Sequence, residues 1–161
     1  MNDIKIRTAT LDDLGTVVGL TVDGQVSDPS QNADSDIPEH YLAAFEAISA
    51  DTNNELVVAE MDNRIVGTMQ LTFIPGISYQ GSVRMHIEGV MVSSEHRNRG
   101  IGTKLMNYAI SNARRRGCCV VQLMTPKWRS EAQRFYQRLG FSLTHEGAKL
   151  ELRKGPFNEP T

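Results

Sequence analysis

The sequence has few cysteines and no long apolar run, and each absence excludes a class of protein. Its 161 residues include two cysteines, Cys118 and Cys119, which are adjacent and therefore poorly placed to bond each other. No CxxC or His/Cys spacing surrounds them, so we expect neither a disulfide framework nor a metal site. No stretch approaches the roughly 18 consecutive apolar residues of a membrane span, and the N-terminus lacks a leader pattern. We therefore expect a cytoplasmic protein that does not bind membranes.

Acidic and basic residues are distributed unevenly along the chain. Residues 1–63 contain thirteen acids and two basic residues, whereas residues 96–116 contain six arginines and lysines and no acid. Two interpretations remain open: two ordinary solvated faces, or a basic half for a polyanionic ligand and an acidic half for a cationic one. A nucleic-acid partner is not expected, because the acidic half would repel the phosphate backbone.

The hydrophobic patterning predicts one α+β domain over residues 1–161. With 161 residues, of which 40% are hydrophobic, the chain is too short for two ordinary domains. The predicted order of elements is β-α-α-β-β-β-α-β-α-β-β, with about seven strands and about four helices. Asp62 and Asn63 are predicted to form the tight turn between the second and third strands, and the last two strands are predicted over residues 141–147 and 148–153.

Three helix ends also have local signals. Thr10, with Asp13 three residues later, is predicted to begin the first helix as an N-cap with a capping box. Gly117 and Gly140 are predicted to end the third and fourth helices.

A glycine-rich turn from Arg97 to Gly102 follows the predicted fourth strand, residues 83–92. Such a strand exit into a helix is typical of an anion site, because the first amides of a helix have no partner and the helix dipole favours negative charge. A P-loop needs lysine directly after its last glycine, where Thr103 stands. A dinucleotide fingerprint needs a third glycine where Leu105 stands. Both nucleotide motifs are therefore excluded, whereas phosphate binding is retained.

On these residues the sequence resembles the GCN5-related N-acetyltransferase (GNAT) superfamily, and in particular its bacterial small-molecule type. Arg97, Gly100 and Gly102 match the central motif [Q/R]-x-x-G-x-[G/A] at the strand-to-helix turn. The segment from Ala132 to Phe141 matches a second signature, A-x-x-F-Y-x-x-x-G-F. The order of elements over residues 3–153 also agrees. The resemblance implies a mostly antiparallel, twisted sheet that splays apart between its fourth and fifth strands.

The resemblance implies acetyl-CoA as co-substrate and no metal. In such proteins the pyrophosphate lies on the amides of the loop and helix start, here Arg97, Asn98, Arg99, Gly100, Ile101, Gly102 and Thr103. The pantetheine arm pairs with the fourth strand, here at Val90, Met91 and Val92; for the valines, plain core packing is the alternative. Arg129 stands where many members have a cofactor-contacting asparagine. We expect it to contact a cofactor phosphate, to contact an anionic group of the acceptor, or to cap a surface.

Two residues are predicted to move protons. An alkylamine with a pKa near 10.4 is uncharged in only about one molecule per thousand at neutral pH, so a base must take its proton. The resemblance assigns this role to Glu88 and the role of general acid toward the leaving thiolate to Tyr136. The alternatives are an ion pair of Glu88 with Arg84 or a nearby arginine, core packing of Tyr136, and a base role for His86.

The resemblance implies an enzyme that acetylates a primary amine of a small molecule by direct attack. We expect its acceptor pocket at the first two helices with loop 24–36 and Tyr41, and at loop 75–82 with Tyr79. The acids there suit a small cationic amine or polyamine, and the end of the second motif is similar to aminoalkylphosphonate acetyltransferases. The alternatives are a protein N-terminal or lysine acetyltransferase and a non-catalytic acyl-CoA sensor. Dimers are frequent in such families, so a homodimer is a candidate state.

Overall fold

The computed structural model describes residues 3–23 and 37–152. They belong to two compact units, one ending at Leu123 and one starting at Met124, and each unit is described by itself. Loop 24–36, predicted to shape the acceptor pocket, lies outside the described residues. The prediction of a single domain stays a prediction.

The first unit is built on one sheet with the strand order β1-β2-β3-β4-β5. All neighbouring strands are antiparallel except β4 and β5, which are parallel. Asp62 and Asn63 both have positive φ angles, 51° and 59°, which gives the tight hairpin turn that the sequence predicts between the second and third strands. The strands are Ile4–Thr8 (β1), Asn54–Met61 (β2), Arg64–Ile74 (β3), Arg84–Val92 (β4) and Val120–Leu123 (β5).

Helices cover both faces of this sheet. The helices of the first unit are Leu14–Asp23 (α1), Glu39–Ala50 (α2) and Ile101–Arg115 (α3), and a left-handed turn, Ser78–Gly81, connects β3 to β4. A Cβ placed at Gly67 would point toward α3, 3.3 Å from side-chain atoms of Ile101 and Leu105, whereas the next residue, Thr68, lines a cavity together with residues of α1. Because successive side chains of a strand alternate between faces, α1 and α3 pack on opposite sides of the sheet.

The start of the first helical segment is fixed by a buried carboxylate, as the predicted capping box requires. Asp13 accepts hydrogen bonds from the backbone N–H of Thr10 at 2.7 Å and from its hydroxyl at 3.0 Å. The Arg7 guanidinium donates to both oxygens of Asp13, at 2.7 and 3.0 Å. Burial raises the pKa of Asp13, but the hydrogen bonds from Arg7 and Thr10 outweigh burial, so its pKa lies below the ordinary value. These bonds tie α1 to the edge strand β1.

The end of α3 follows the sequence prediction that Gly117 stops the helix. Gly117 has a φ of 68°, its N–H donates to the Arg114 carbonyl, and the N–H of Cys118 donates to the Ala113 carbonyl. This pair of bonds is a Schellman motif, which needs a left-handed residue at that position and therefore favours glycine. The chain leaves α3 in a defined direction and enters β5.

The second unit has one helix in its described part, Ser130–Arg138 (α4), which stops before Gly140 as predicted. The strands predicted over 141–147 and 148–153 are wrong where the structure describes them, because residues 141–152 have no strand pairing. Leu150 and Leu152 are exposed, so no strand of the described chain covers the apolar face that their alternation predicts. The sheet therefore has five strands in the described residues, where about seven are predicted. No helix in residues 3–23 or 37–152 is long and apolar enough to cross a membrane.

Candidate functional site

A β-bulge interrupts strand β4 directly after Glu88. Gln70 pairs with Glu88 and Thr68 pairs with Met91, so a single residue of β3 faces two residues of β4. The first of these two is Gly89, whose φ of 61° is left-handed, as expected for a glycine that opens such a bulge. Because residues paired across strands share a face, the bulge puts Met91 on the same face as Glu88 instead of the opposite one.

A cavity of about 230 Å³ lies between α1 and the sheet, and Glu88 forms part of its wall. Its lining residues come from α1, β2, β3 and β4, and the bulge glycine is among them. Neither Tyr41 nor Tyr79, which the sequence predicts at the acceptor pocket, lines it. The lining residues are Val17, Thr21, Leu56, Thr68, Met69, Gln70, Glu88 and Gly89.

The Glu88 side chain is exposed and is available for chemistry in this cavity. Within the described residues it makes no ion pair and no hydrogen bond. The alternative interpretation, a structural ion pair with Arg84 or with an arginine of the following helix, is therefore not found in this part of the chain. His86 lies two residues before Glu88 on the same strand, opposite Thr72 of β3, and it does not line the cavity.

Sequence reasoning missed three polar residues of this cavity, and Gln70 is the one that lies opposite Glu88. It stands in the run "GTMQLTFI", where Thr68, Gln70 and Thr72 alternate with apolar residues. That alternation puts the three polar side chains on one face of β3. The sequence contained this signal, but the partner strand and its register decide that Gln70 lies opposite Glu88.

The second half of β4 has a free edge within the first unit. β5 pairs with β4 from Arg84 only as far as Ile87, so the segment from Val90 to Val92 has a ladder partner on its β3 side alone. A side chain at Gly67 would place a Cβ 3.1 Å from the Met91 carbonyl oxygen and 3.3 Å from Ile101. The absence of a side chain at Gly67 thus lets β4 and α3 approach closely. The free edge agrees with the predicted splay of the fourth and fifth strands.

The turn between β4 and α3 leaves helix amides without partners. Gly100 has a left-handed φ of 78°, and the first helical bond runs from the N–H of Lys104 to the Gly100 carbonyl at 3.0 Å. The amides of Ile101, Gly102 and Thr103 therefore have no intrahelical acceptor, and they lie at the positive end of the helix dipole.

Three basic residues lie next in sequence to the free amides of Ile101, Gly102 and Thr103, which we call the amide cradle. Arg97, Arg99 and Lys104 are exposed, and among the described residues none of them forms an ion pair. Asn98 has a left-handed φ of 61°, so the backbone turns sharply just before the glycine. Together, unpaired amides and unpaired cations fit a polyanion such as a pyrophosphate. In the described chain no group of three His, Cys, Asp or Glu side chains is arranged to hold a metal ion.

Tyr136 and Arg129, the other two predicted site residues, lie in the second unit. The Tyr136 ring packs edge-on against Phe135 and Phe141, with ring centroids 5.2 and 5.9 Å away. Burial raises the pKa of Tyr136, while the positive charge of Arg129 acts in the opposite direction. The Tyr136 hydroxyl forms no hydrogen bond within the described residues. Arg129 is exposed at the start of α4, 5.9 Å from the centre of the Trp128 ring.

Two curated proteins match part of the chain. An uncharacterized N-acetyltransferase of Methanocaldococcus jannaschii is 35% identical over 86 residues, which are 52% of this chain and 37% of that protein. A glucosamine 6-phosphate N-acetyltransferase of Trypanosoma brucei brucei is 32% identical over 89 residues, which are 55% of this chain and 58% of that protein. The chain thus spans less than two thirds of the length of either relative.

One solved structure is similar over nearly the whole chain. A crystal structure described as a transcriptional regulator from Bacillus halodurans C-125 has a TM-score of 0.84 and 42% identity, and the match covers 93% of this chain and 100% of that one. This similarity confirms the predicted mixed α+β fold with a mostly antiparallel sheet. The sequence profile described as the Acetyltransferase (GNAT) family matches residues 25–141, well over half of the 161 residues. The chain therefore belongs to the acetyltransferase (GNAT) family.

Proposed function

We propose that this protein is an N-acetyltransferase that transfers the acetyl group of acetyl-CoA to the primary amine of a small molecule. The observation that carries the proposal is the continuity of β4. Its bulge holds the unpaired Glu88 carboxylate in a cavity wall, and the same strand then leads through Val90 to Val92 into the amide cradle at Ile101 to Thr103. A proton acceptor and a polyanion site are thus joined by one short stretch of backbone.

The residues of the first unit fit acetyl-CoA. The helix-start amides and the side chains of Arg97 and Arg99 would hold the pyrophosphate, because oriented N–H groups and cations both favour negative charge. The free edge of Val90 to Val92 would pair with the amides of the pantetheine arm, as an added strand does. Acetyl-CoA supplies the acetyl group as a thioester. Arg129 would contact a cofactor phosphate or an anionic group of the acceptor.

Two protons must move in the reaction. Glu88 accepts one proton from the acceptor ammonium and releases it to solvent after turnover, and the resulting amine nitrogen forms a bond to the thioester carbonyl carbon. The bonded nitrogen then loses a second proton to solvent, and solvent restores the proton that Tyr136 donates. The carbon–sulfur bond breaks, and the sulfur leaves as a thiolate that takes a proton from the Tyr136 hydroxyl. Because the pKa of Tyr136 is raised, that hydroxyl keeps its proton at neutral pH. One positioned acid or base contributes about 10²- to 10⁴-fold to a rate.

Measurement of thiol release from acetyl-CoA tests this function. The panel contains alkylamines, polyamines, amino sugars, aminophosphonates and peptides, the last of which covers a protein N-terminal or lysine acetyltransferase. We expect release with at least one small amine, and we expect Glu88→Gln to lose about 10²- to 10⁴-fold in kcat. Raising the pH should restore part of that loss, because it increases the uncharged fraction of the amine without a base.

A second candidate function is acyl-CoA sensing without catalysis. It is favoured by the description of the Bacillus halodurans protein as a transcriptional regulator, since that protein is 42% identical to this chain. Measurable CoA binding by calorimetry, with no thiol release for any amine or peptide, would support the sensor and overturn the enzyme. Cytoplasmic location and a homodimer stay predictions, and cell fractionation and light scattering would test them.

A further inference from the structure

The cavity that contains Glu88 has very few polar side chains with hydrogen-bonding capacity to spare. Its two threonine hydroxyls have no proton left to donate, because Thr21 donates to the Val18 carbonyl at 2.8 Å and Thr68 donates to the Val57 carbonyl at 2.9 Å. Their oxygens can still accept a hydrogen bond. The other side chains of its described wall are apolar, apart from Gln70 and Glu88. Among the described side chains, the Glu88 carboxylate and the Gln70 amide are therefore the strongest polar groups that this cavity offers to a ligand.

A chain of hydrogen bonds fixes which atom of the Gln70 amide is free. The Asp51 carboxylate can only accept, and it accepts from the side-chain NH₂ of Asn54 at 2.8 Å. The Asn54 amide oxygen must then face the other way, where it accepts from the Thr72 hydroxyl at 3.0 Å and from the Gln70 NH₂ at 3.4 Å. The Gln70 carbonyl oxygen is left without a partner among the described residues.

We propose that Gln70 orients the acceptor amine beside Glu88, and that the acceptor is a compact primary monoamine with an apolar body. The Gln70 carbonyl oxygen accepts one N–H of the amine, while the Glu88 carboxylate accepts the proton that leaves. Gln70 lies directly opposite Glu88 on the neighbouring strand, so both acceptors address one nitrogen. This inference rests on the proposed function of the same site.

The cavity wall disfavours the acceptors that the named relatives suggest. An amino sugar would bury several hydroxyls against Val17 and Leu56, and each buried hydroxyl without a partner costs about 1 to 3 kcal/mol. A phosphorylated acceptor would need a cation, and no lysine or arginine lines the described wall. A polyamine held within the described wall would place its second ammonium near Val17 and Leu56, where Glu88 is the one carboxylate among the described lining residues. A volume of about 230 Å³ suits a ring or a short alkyl chain.

Amines of similar size but different polarity test the acceptor class. We compare thiol release with cyclohexylmethylamine and 2-phenylethylamine against glucosamine, glucosamine 6-phosphate and spermidine. The expected result is a kcat/KM at least about tenfold higher for the two apolar amines, because the described wall, once Gln70 and Glu88 hold the amine, has fewer polar side chains left than an amino sugar has hydroxyls to pair. A higher kcat/KM for an amino sugar, its phosphate or spermidine would overturn the proposed class and leave the acetyltransferase function intact.

Two matched variants test the role of Gln70. Gln70→Leu removes the free acceptor, and Thr72→Val removes a hydrogen bond to the same Asn54 oxygen without altering the cavity. We expect Gln70→Leu to raise KM for the amine about tenfold to a hundredfold, with KM for acetyl-CoA and the thermal midpoint little changed. Thr72→Val should stay within about twofold of wild type. Equal losses in the two variants, or no loss in Gln70→Leu, would show that Gln70 only supports the strand.

Amine binding separates a failure of this inference from a failure of the proposed function. Calorimetric titration of cyclohexylmethylamine into the CoA-bound protein needs no turnover. Binding that is weakened by Gln70→Leu, in a protein that releases no thiol, would refute catalysis and support the amine site. The absence of any amine binding to the CoA-bound protein would overturn the inference directly.

Discussion

Gln70 of β3 lies directly opposite Glu88 of β4, and the bulge of β4 begins at the next residue, Gly89. Side chains of such a pair share a face, with Cβ atoms about 5 Å apart. The bulge interrupts the regular alternation of side chains along β4 at this point. Glu88, just before the bulge, lines the cavity, and Val90 to Val92, just after Gly89, form an edge without a second strand partner in the first unit. The register of β3 against β4 thus places the candidate base, Glu88, directly before Val90 to Val92, the segment proposed to pair with the pantetheine arm.

We predict that Gly67→Ala damages both stability and CoA binding. The new Cβ would lie 3.1 Å from the Met91 carbonyl oxygen and 3.3 Å from a Leu105 methyl group. The carbonyl is backbone and cannot move without moving β4, so we expect a loss of about 1 to 3 kcal/mol in the free energy of unfolding. Urea unfolding and calorimetric CoA titration would measure the two effects.

Gly76→Ala is the matched control for this prediction. Apart from its two chain neighbours, no heavy atom of the described residues lies within 4 Å of the Cβ position at Gly76, and its φ is not left-handed. Its stability and CoA affinity should therefore stay close to wild type. Equal behaviour of the two variants would contradict the close approach of β4 and α3.

We predict that Arg97→Gln weakens CoA binding about tenfold at low salt, because one charge-assisted contact to phosphate is lost. Arg114→Gln removes an equally exposed charge from the other end of α3 and should leave affinity nearly unchanged. Titration of CoA at two salt concentrations would measure both. If both variants weaken CoA binding equally, the affinity depends on the net charge of the region and not on a specific contact of Arg97, which would contradict the prediction.

We predict that Tyr136→Phe folds normally, binds acetyl-CoA and loses most of its turnover. The substitution removes only the hydroxyl, and the ring keeps its packing against Phe135 and Phe141. Steady-state kinetics and CoA titration would test the separation of kcat from binding. Near wild-type turnover in this variant would remove Tyr136 from the mechanism.

The pH dependence of Tyr136 gives a separate prediction. Burial raises its pKa, and the charge of Arg129 lowers it, with burial the larger effect. The hydroxyl is therefore protonated at neutral pH and ionises only above its ordinary value of 10.0. Arg129→Gln removes the opposing charge and should raise the pKa further. Phenolate absorbance during an alkaline titration, with Tyr136→Phe as the blank, would show the shift; a lower pKa in Arg129→Gln would contradict it.

We predict that Asp13→Asn lowers the free energy of unfolding by about 1 to 3 kcal/mol at pH 7, since Arg7 loses one of its two charged partners and keeps only Glu60. The folded pKa of Asp13 is depressed, so its contribution is fully present above the unfolded value near 3.9 and is lost as pH falls through the folded pKa. Urea unfolding at pH 7 and at about pH 3 would measure it. A difference between variant and wild type that does not shrink in acid would contradict the assignment.

Local signals in the sequence predict most elements of the first unit. Asp62 and Asn63 form the expected tight turn, Gly117 stops α3, and Thr10 with Asp13 begins the first helical segment. Each signal acts over a few residues, so it needs no knowledge of distant contacts. The prediction of the last two strands was wrong because a strand also needs a hydrogen-bonded neighbour. Leu150 and Leu152 follow the apolar–polar alternation of a strand, yet both side chains are exposed.

The sequence by itself determined the amide cradle, because the glycines and arginines from Arg97 to Gly102 act through their own backbone and charge. It also indicated Glu88, through the resemblance to a family. Only the tertiary structure decided what surrounds Glu88. A cavity forms where α1 and three strands meet, and the register of β3 against β4 brings Gln70 opposite the carboxylate. Register depends on pairing between residues far apart in the chain, and a shift of one residue would turn every side chain to the other face.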